Sequence, residues 1–162
     1  MTTRIAFVNG KGGVGETTCA TLIAAALKDA GLAVSIEDRD PQGSATTAAG
    51  IFGLPVGAGE SIVIMDTAPS IAAPETLDAI RTADLVILVT TPSPLDLATT
   101  AATAQRIQAE RRGETCSIHF WRLMTTLALF ELLHSFCMTQ FWLARKRMQL
   151  QKTLPMRFNT YL

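Results

Sequence analysis

Four short apolar runs divide the first two thirds of the chain. They cover Ile5–Val8, Ala33–Ile36, Ser61–Met65 and Leu85–Val89. None of them alternates between apolar and polar positions, and continuous runs of this kind are typical of strands that are buried on both faces. The runs therefore predict a parallel sheet that is covered by helices on its two faces, which is the α/β fold class.

The segments between these runs carry helix signals. Thr17–Ala30 is rich in alanine and leucine and is followed by Gly31, a residue that commonly stops a helix. Pro74–Thr82 predicts a second helix. A further helix is expected to begin after Ser93, with Ser93 as its N-cap and Asp96 as the acidic partner in a capping box.

The composition of the chain changes near Gly113. Residues 1–113 hold all 11 glycines, two aromatic residues, and 8 basic against 12 acidic side chains. Residues 114–162 hold no glycine, eight aromatic residues, and 6 basic against 2 acidic side chains. The formal net charge of +0 is thus a cancellation, and it argues against an overall basic surface that binds nucleic acid by charge alone. We predict a first domain of residues 1–113 and a separate tail of residues 114–162.

The cysteines and the N-terminus exclude several classes of protein. Cys19, Cys116 and Cys137 are far apart and form no Cys-x-x-Cys pair, which disfavours both a disulfide scaffold and a zinc module. The first residues lead directly into an apolar run and contain no signal-peptide core. We therefore expect a cytoplasmic protein.

The tail allows three interpretations. Apolar residues within Leu123–Met138 recur near helical spacing, which predicts one or two helices that cap the sheet. Phe141–Trp142 beside Arg145–Arg147 combines aromatic and basic residues, as in a helix that lies on a membrane surface. The abrupt loss of glycine and alanine favours a truncated or non-native end instead. A transmembrane span is not expected, because Arg122 and Glu131 interrupt the tail.

A glycine-rich loop separates the first predicted strand from the first predicted helix. It reads Gly-Lys-Gly-Gly-Val-Gly-Glu-Thr-Thr from Gly10 to Thr18. Glycines let successive backbone N–H groups converge on a phosphate, and the N-terminus of the helix adds positive potential. Gly10, Gly15 and Thr17 fit the pattern G-x-x-x-x-G-K-[ST], with Glu16 at the position of its lysine. The loop therefore predicts a phosphate-binding site.

Acidic residues follow two of the predicted strands. Asp38 and Asp40 come after the second run, and Asp66 comes directly after the third. Each alone is explained more simply as a cap or turn residue. The carboxyl ends of parallel strands meet at one edge of the sheet, where ligands bind, and Mg²⁺ prefers oxygen ligands. Together these residues predict a ligand crevice.

Four segments, in order and spacing, resemble the ParA/Soj/MinD family of partitioning and positioning ATPases. Lys11–Thr18 is similar to the deviant Walker A motif of that family, which carries an early second lysine. Asp38–Ser44 is similar to its switch segment, and Ile62–Pro69 is similar to its Walker B strand. Ala83–Asp96 fits the segment that comes next. The resemblance covers roughly residues 3–112 and leaves the tail unmatched.

The resemblance implies a truncated P-loop NTPase fold of the deviant Walker A type, with a helical C-terminal tail, and it implies a role for each matched residue. Lys11 would reach across a nucleotide-sandwich homodimer to the phosphates of the partner, and Asp40 would orient the attacking water. The residues that would contact ATP are Gly12, Gly13, Val14, Gly15, Glu16, Thr17 and Thr18. The residues that would hold Mg²⁺, directly or through a bound water, are Thr17, Asp38 and Asp66.

The implied function is Mg-ATP-dependent dimerisation and slow hydrolysis in plasmid or chromosome partitioning. A DNA-bound adaptor protein and non-specific DNA would be the partners, with association to the nucleoid. Glu16 stands where the family lysine contacts the β- and γ-phosphates. Two unit charges about 4 Å apart interact by about 4 kcal/mol at an effective dielectric constant of about 20. We therefore expect weak or absent ATP binding, and the alternatives are a non-catalytic pseudo-ATPase that serves as a binding module and a truncated fragment.

Overall fold

The computed structural model describes residues 2–91, 93–111 and 117–122. Within these residues the strands are β1 (Thr3–Val8), β2 (Val34–Arg39), β3 (Ile62–Thr67), β4 (Leu85–Thr90) and β5 (Ser117–Arg122). The helices are α1 (Glu16–Asp29), α2 (Ser44–Phe52), α3 (Pro74–Thr82) and α4 (Pro94–Glu110).

The strands form one parallel sheet in the order β2-β3-β1-β4-β5. Strand β1 lies at the centre, with Phe7 opposite Asp66 of β3 and with Val8 opposite Leu88 of β4. Asp38 at the end of β2 is in turn opposite Asp66. The register thus brings the ends of β1, β2 and β3 together at one edge, and the predicted α/β fold is confirmed.

Two apolar clusters cover the two faces of the sheet. Ile5 and Phe7 point to the face that is covered by α1 and α2, while Ala6 and Val8 point to the face that is covered by α3 and α4. All four side chains are buried. Burial on both faces explains why the strands are continuous apolar runs in the sequence. Each large apolar side chain buried in this way contributes about 1.5–3 kcal/mol to the free energy of unfolding.

Helix α1 ends at a glycine, as the sequence predicts. Gly31 has a φ of 80°, and its N–H donates a hydrogen bond to the carbonyl of Lys28 at 2.8 Å. The N–H of Leu32 donates to the carbonyl of Leu27 at 3.1 Å. These two bonds form a Schellman motif, in which the last carbonyls of the helix are satisfied.

Helix α2 was not predicted from the sequence. It begins after Gly43, which has a φ of 69°, and it ends at Gly53, which has a φ of 59°. The N-cap residue is Gly43, which has no side chain that could cap the helix. A carboxylate oxygen of Asp38 accepts the N–H of Thr46 at 2.7 Å instead. The helix therefore depends on a residue of β2 that precedes it by several positions.

Helix α4 begins where expected, but the predicted capping box is wrong. Ser93 occupies the N-cap position without a side-chain cap hydrogen bond. The carboxylate of Asp96 is occupied by other groups, since it accepts hydrogen bonds from the hydroxyl of Thr91 and from the ammonium of Lys11. Asp96 therefore joins α4 to the glycine-rich loop rather than closing its own helix.

Part of the predicted tail belongs to the sheet. Residues Ser117–Arg122 form β5, which pairs with β4 from Leu85 opposite Ser117 to Thr90 opposite Arg122. The sequence predicts a helical tail, and that prediction is wrong for this segment. The boundary after Gly113 stays a prediction, and the segment Leu123–Met138 lies outside the described residues.

Other predictions for the tail also fall outside the described residues. These include the aromatic and basic segment Phe141–Arg147 and the cysteines Cys116 and Cys137. Cys19 is a buried free thiol in α1. Of the helices that the structure describes, none has the length and apolar character needed to cross a membrane.

Candidate functional site

The glycine-rich loop turns the chain from β1 into α1 at the carboxyl edge of the sheet. Gly13 and Gly15 have φ values of 80° and 86°, a left-handed conformation that favours glycine. Gly15 is also the N-cap of α1 and, as a glycine, supplies no side-chain cap hydrogen bond. Free N–H groups and the positive end of a helix dipole are the features with which helix N-termini bind anions.

Thr17 and Asp66 form the centre of the candidate site. The hydroxyl of Thr17 donates a hydrogen bond to Oδ2 of Asp66 at 2.7 Å. Asp66 is fully buried, and its Oδ1 has no hydrogen-bond partner among the described residues. Burial raises the pKa of Asp66 to about 6 against the opposing effect of the Thr17 hydrogen bond, and the carboxylates of Asp38 and Asp40 add to the rise. A buried oxygen without a partner is costly to the fold, and a ligand that reached it would offset that cost.

The oxygens of Thr17 and Asp66 fit a hard divalent cation. Within the described part of the chain, no three or more His, Cys, Asp or Glu side chains are grouped so as to hold a metal ion. Mg²⁺ is usually bound by one or two carboxylates together with waters and substrate phosphates. The pair therefore fits Mg²⁺ that arrives with a nucleotide better than it fits a cation held by protein alone.

Asp38 and Asp40 lie beside this pair but are engaged in local structure. The two oxygens of Asp38 accept the N–H groups of Asp40 at 3.1 Å and Thr46 at 2.7 Å. Asp40 accepts the N–H of Gln42 at 3.0 Å. The cap and turn roles are thus observed, while Asp38 as a cation ligand and Asp40 as the residue that orients water stay predictions.

Glu16 turns inward toward β3. Glu16 is 8% exposed. Its Oε1 lies 3.0 Å from the hydroxyl oxygen of Thr67. That hydroxyl also lies 3.0 Å from the carbonyl oxygen of Phe7. Burial, followed by the charge of Asp66, raises the pKa of Glu16 to about 9. Because a hydroxyl has one hydrogen, a protonated Glu16 that donates to Thr67 leaves Thr67 free to donate to Phe7.

Lys11 lies on the opposite side of the loop from Glu16. Its ammonium forms an ion pair with Asp96 of α4. Its backbone N–H donates to the side-chain oxygen of Asn9 at 2.9 Å, and the buried amide of Asn9 donates to the carbonyl of Val89. Sequence reasoning did not identify Asn9, Thr67 or Asp96 as parts of the site.

A cavity of about 510 Å³ opens beside the carboxylates. It is lined by Asp38, Arg39, Asp40, Pro41, Pro74, Glu75 and Asp78. The guanidinium of Arg39 is held on one side by Glu37 at 2.7 Å and on the other by Asp78 at 2.6 Å. The pair with Asp78 joins the end of β2 to α3, whereas Glu37 lies on the same strand as Arg39.

Parts of this sequence are similar to known proteins. A family model described as an AAA domain matches residues 2–54. A maintenance of carboxysome distribution protein A from Gloeobacter kilaueensis is 40% identical over 121 residues, which are 63% of this chain and 55% of that protein. The chromosome-partitioning ATPase Soj from Thermus thermophilus is 52% identical over 48 residues, 30% of this chain and 19% of that protein. The chain therefore spans about half the length of the first relative and less of the second.

Solved structures share the fold. A cobyrinic acid a,c-diamide synthase from Mycobacterium smegmatis with a bound ATP analogue and magnesium has a TM-score of 0.68 at 18% identity, over 98% of this chain and 86% of that chain. The pNOB8 ParA protein bound to nonspecific DNA has a TM-score of 0.62 at 14% identity, over 94% of this chain and 77% of that chain. At these identities the likeness shows the fold alone.

The glycine loop between a central strand and a helix, with Thr17 against the buried Asp66 of the neighbouring strand, defines a P-loop protein of the α/β class. The sequence matches point to one branch of that class. The match of residues 2–54 to the AAA domain model, and the similarity to relatives named for carboxysome distribution and chromosome partitioning, support the resemblance to the ParA/Soj/MinD P-loop ATPases.

Proposed function

We propose that this chain is a ParA-like Mg-ATP-binding ATPase that acts in plasmid or chromosome partitioning. The observation that carries the proposal is the hydrogen bond of Thr17 to the buried Asp66 beside the glycine loop. It joins the start of α1 to the end of β3, the two elements that would face the phosphates and the cation of a nucleotide bound at the loop. Mg²⁺ held at Thr17 and Asp66, with Asp38 beside them, would neutralise charge on the phosphates.

The loop backbone supports binding of phosphates in this position. Residues Gly12–Gly15 turn through two left-handed conformations, which aim successive N–H groups toward one region. Thr18 is exposed in the first turn of α1, where its hydroxyl would contact the α-phosphate. Asp40 would orient the attacking water from the end of β2. In this proposal the chain supplies position and charge rather than a covalent intermediate.

The wider function extends this proposal to partners. We propose a homodimer in which Lys11 reaches the nucleotide of the second copy. A DNA-bound adaptor protein and non-specific DNA would be the further partners, in the cytoplasm and at the nucleoid. The relatives support this direction, since one is named as a chromosome-partitioning ATPase and a protein of the same fold is bound to nonspecific DNA. A role in distributing a cell structure is supported in the same way by the carboxysome relative.

Glu16 favours a second candidate function, a pseudo-ATPase that keeps the fold as a binding module. Its carboxyl is buried against Thr67, next to Thr17, so residue 16 brings no positive charge to the phosphates. An ionised carboxylate at this place would repel them, on the scale of about 4 kcal/mol for a charge pair near 4 Å at an effective dielectric constant of about 20. Weak binding would follow from either form of Glu16.

Calorimetry of Mg-ATP binding tests both candidates. The unchanged chain is compared with Glu16→Lys and with Glu16→Gln, which removes the charge but supplies no lysine. We expect weak or undetectable binding by the unchanged chain, little gain for Glu16→Gln, and clear binding by Glu16→Lys. Omission of Mg²⁺ should weaken the binding by Glu16→Lys.

The outcomes separate the alternatives. Micromolar binding by the unchanged chain would show that the account of Glu16 is wrong and would favour the ATPase over the pseudo-ATPase. A gain for Glu16→Gln equal to that for Glu16→Lys would mean that repulsion alone weakens binding. No binding by any of the three proteins, with folding confirmed by circular dichroism, would contradict the nucleotide function and favour a truncated fragment.

A further inference from the structure

The cation of the glycine loop is paired within its own chain. The ammonium of Lys11 forms an ion pair with Oδ1 of Asp96. Asp96 lies in the first turn of α4, just after the carboxyl end of β4. The Lys11 side chain is 50% exposed, whereas that of Asp96 is 8% exposed. The pair therefore links a half-exposed loop side chain to an almost buried carboxylate on the neighbouring element.

The carboxylate of Asp96 is fixed independently of Lys11. Its Oδ2 accepts the hydroxyl of Thr91, which leaves Oδ1 to face the loop. The first turn of a helix also favours a negative charge, because the helix dipole is positive there. These contacts lower the pKa of Asp96, with the hydrogen bond from Lys11 as the largest cause. Asp96 is thus a preformed anionic acceptor for a cation from the loop.

The backbone of the loop is also held on the α4 side. The N–H of Lys11 donates to Asn9, whose amide is anchored on β4. Gly10 lies so close to α4 that an added Cβ would stand 2.8 Å from the hydroxyl oxygen of Thr103. With its backbone held on this side by these contacts, Lys11 would leave Asp96 by rotation of its own side chain.

We propose that Asp96 is a positioning residue that holds the Lys11 ammonium inside its own chain, so that Lys11 reaches a polyphosphate only after this ion pair opens. The inference rests on the proposed function, since it names the group that controls a residue proposed to contact nucleotide. A phosphate oxygen and Oδ1 of Asp96 compete for the same ammonium. Loss of the carboxylate should therefore release Lys11 and strengthen its attraction to phosphate.

Competitive amine labelling tests the ion pair without any nucleotide. Trace acetic anhydride modifies accessible amines, and mass spectrometry reads the labelling of Lys11 against Lys28. Lys28 is a suitable internal reference because its ammonium donates to the carbonyls of Phe52 and Gly53 and because it lies in the last turn of α1, at the other end of that helix from the glycine-rich loop. We expect Asp96→Asn to raise the Lys11 to Lys28 labelling ratio several-fold, and Asp96→Glu to restore most of the protection.

The matched control lies at the other end of the same helix. Glu110→Gln removes a carboxylate of α4 that pairs with Arg81 at 2.8 Å and Arg106 at 3.4 Å, and it should leave the ratio unchanged. An unchanged ratio in Asp96→Asn, or an equal rise in Glu110→Gln, would overturn the proposal. If Asp96→Asn does not fold, Thr91→Val serves instead, since it loosens Asp96 but keeps the charge. A smaller rise is then expected, and no rise would overturn the proposal.

Binding of inorganic tripolyphosphate gives the second readout. Calorimetry should show several-fold tighter binding to Asp96→Asn than to the unchanged chain, and the same affinity for Glu110→Gln as for the unchanged chain. Equal affinity of the Asp96→Asn variant and the unchanged chain would overturn the competition with phosphate. If no variant binds tripolyphosphate, the result would count against the nucleotide function and against a competition between phosphate and Asp96 for Lys11. The labelling ratio would still decide whether Asp96 holds Lys11.

Discussion

At the scale of single residues, the site is a row of polar groups buried against an apolar sheet. Asn9, Asp66 and Thr67 are almost inaccessible at the carboxyl edge of the sheet, and each must find a partner to offset the loss of water. Asn9 finds one on β4, and Thr67 finds one on β1. Asp66 satisfies one oxygen with Thr17 and leaves the other open. A site of this kind gives up stability for the capacity to bind.

Thr17→Val tests the contribution of the Thr17 hydroxyl to the apo fold. Among the described residues, the substitution leaves both oxygens of the buried Asp66 without a partner. We therefore expect the free energy of unfolding to fall by about 1–3 kcal/mol. Urea unfolding in a chelating buffer measures this change in the free energy of unfolding. Thr18→Val is the matched control, because Thr18 is an exposed neighbour and its substitution should change stability by less than about 0.5 kcal/mol. Equal losses in the two variants would contradict the importance of the Thr17 hydrogen bond.

Glu16→Gln tests the environment of Glu16 through the pH dependence of stability. The pKa of Glu16 rises from 4.5 to about 9 in the folded chain, so between these values the folded state binds more protons at this residue than the unfolded state. Its contribution to the free energy of unfolding is therefore greatest below pH 4.5 and decreases as the pH rises toward 9.

Removal of this ionisation should flatten the profile. A difference of one unit between the pKa of a residue in the folded chain and its pKa in the unfolded chain changes the free energy of unfolding by about 1.4 kcal/mol. We expect Glu16→Gln to exceed the parent in free energy of unfolding by at least that amount at pH 8 in metal-free buffer. Near pH 4 the two proteins should be nearly equal. Urea unfolding at several pH values measures the difference, and parallel profiles would show that Glu16 ionises freely in the fold.

At the scale of elements, apolar runs and helix stops were sufficient to predict most of the fold. Helix α3 has the predicted bounds, and the predicted strand Ile5–Val8 lies within β1. The prediction for the second strand ended at Ile36, because the pattern of apolar residues ends there, whereas β2 continues through the ion-paired Arg39. Helix α2 was missed because its alanine, threonine and glycine residues give no apolar periodicity.

The site was predicted only in part, for a related reason. Local motifs identified Thr17 and Asp66, because Thr17 is part of the glycine-rich loop motif and Asp66 comes directly after a predicted strand. The partner of Lys11 is 85 positions away in the sequence, and the local pattern around Asp96 indicates a capping box. Contacts of this range depend on the strand order, in which β4 is placed next to β1, and neither spacing nor composition reveals that order.

A pair of glycines tests the account of the helix ends. Gly31 follows α1 with a φ of 80° and has open space around an added Cβ. Gly31→Ala should therefore lower the free energy of unfolding by about 1–2 kcal/mol through backbone strain alone. Gly50 lies inside α2, also with open space, and Gly50→Ala should raise stability by about 0.5–1 kcal/mol. Urea unfolding of both variants measures these changes. Effects of the same sign would contradict either the left-handed conformation of Gly31 or the helical conformation of Gly50.

At the scale of the whole molecule, the glycine loop joins the two halves of the sheet. Because β1 is central, its loop is bound to β3 through Thr17 and to α4 through Lys11. The direction of the crossovers changes beside β1, and open α/β sheets bind ligands at such a point. A ligand at the loop would therefore contact groups on both sides, and Lys11 is the side chain among these that is half exposed.

The last prediction concerns self-association. If Lys11 reaches the nucleotide of a second copy, then Glu16→Lys should be monomeric alone and dimeric with Mg-ATP in sedimentation equilibrium. Adding Lys11→Ala to Glu16→Lys should leave a protein that binds Mg-ATP through the loop backbone and Thr17, yet stays largely monomeric. Adding Glu110→Gln instead serves as a control and should leave the dimer intact, because Glu110 lies at the far end of α4. A dimer that persists without Lys11, at similar strength, would mean that the contact between copies does not depend on the loop cation.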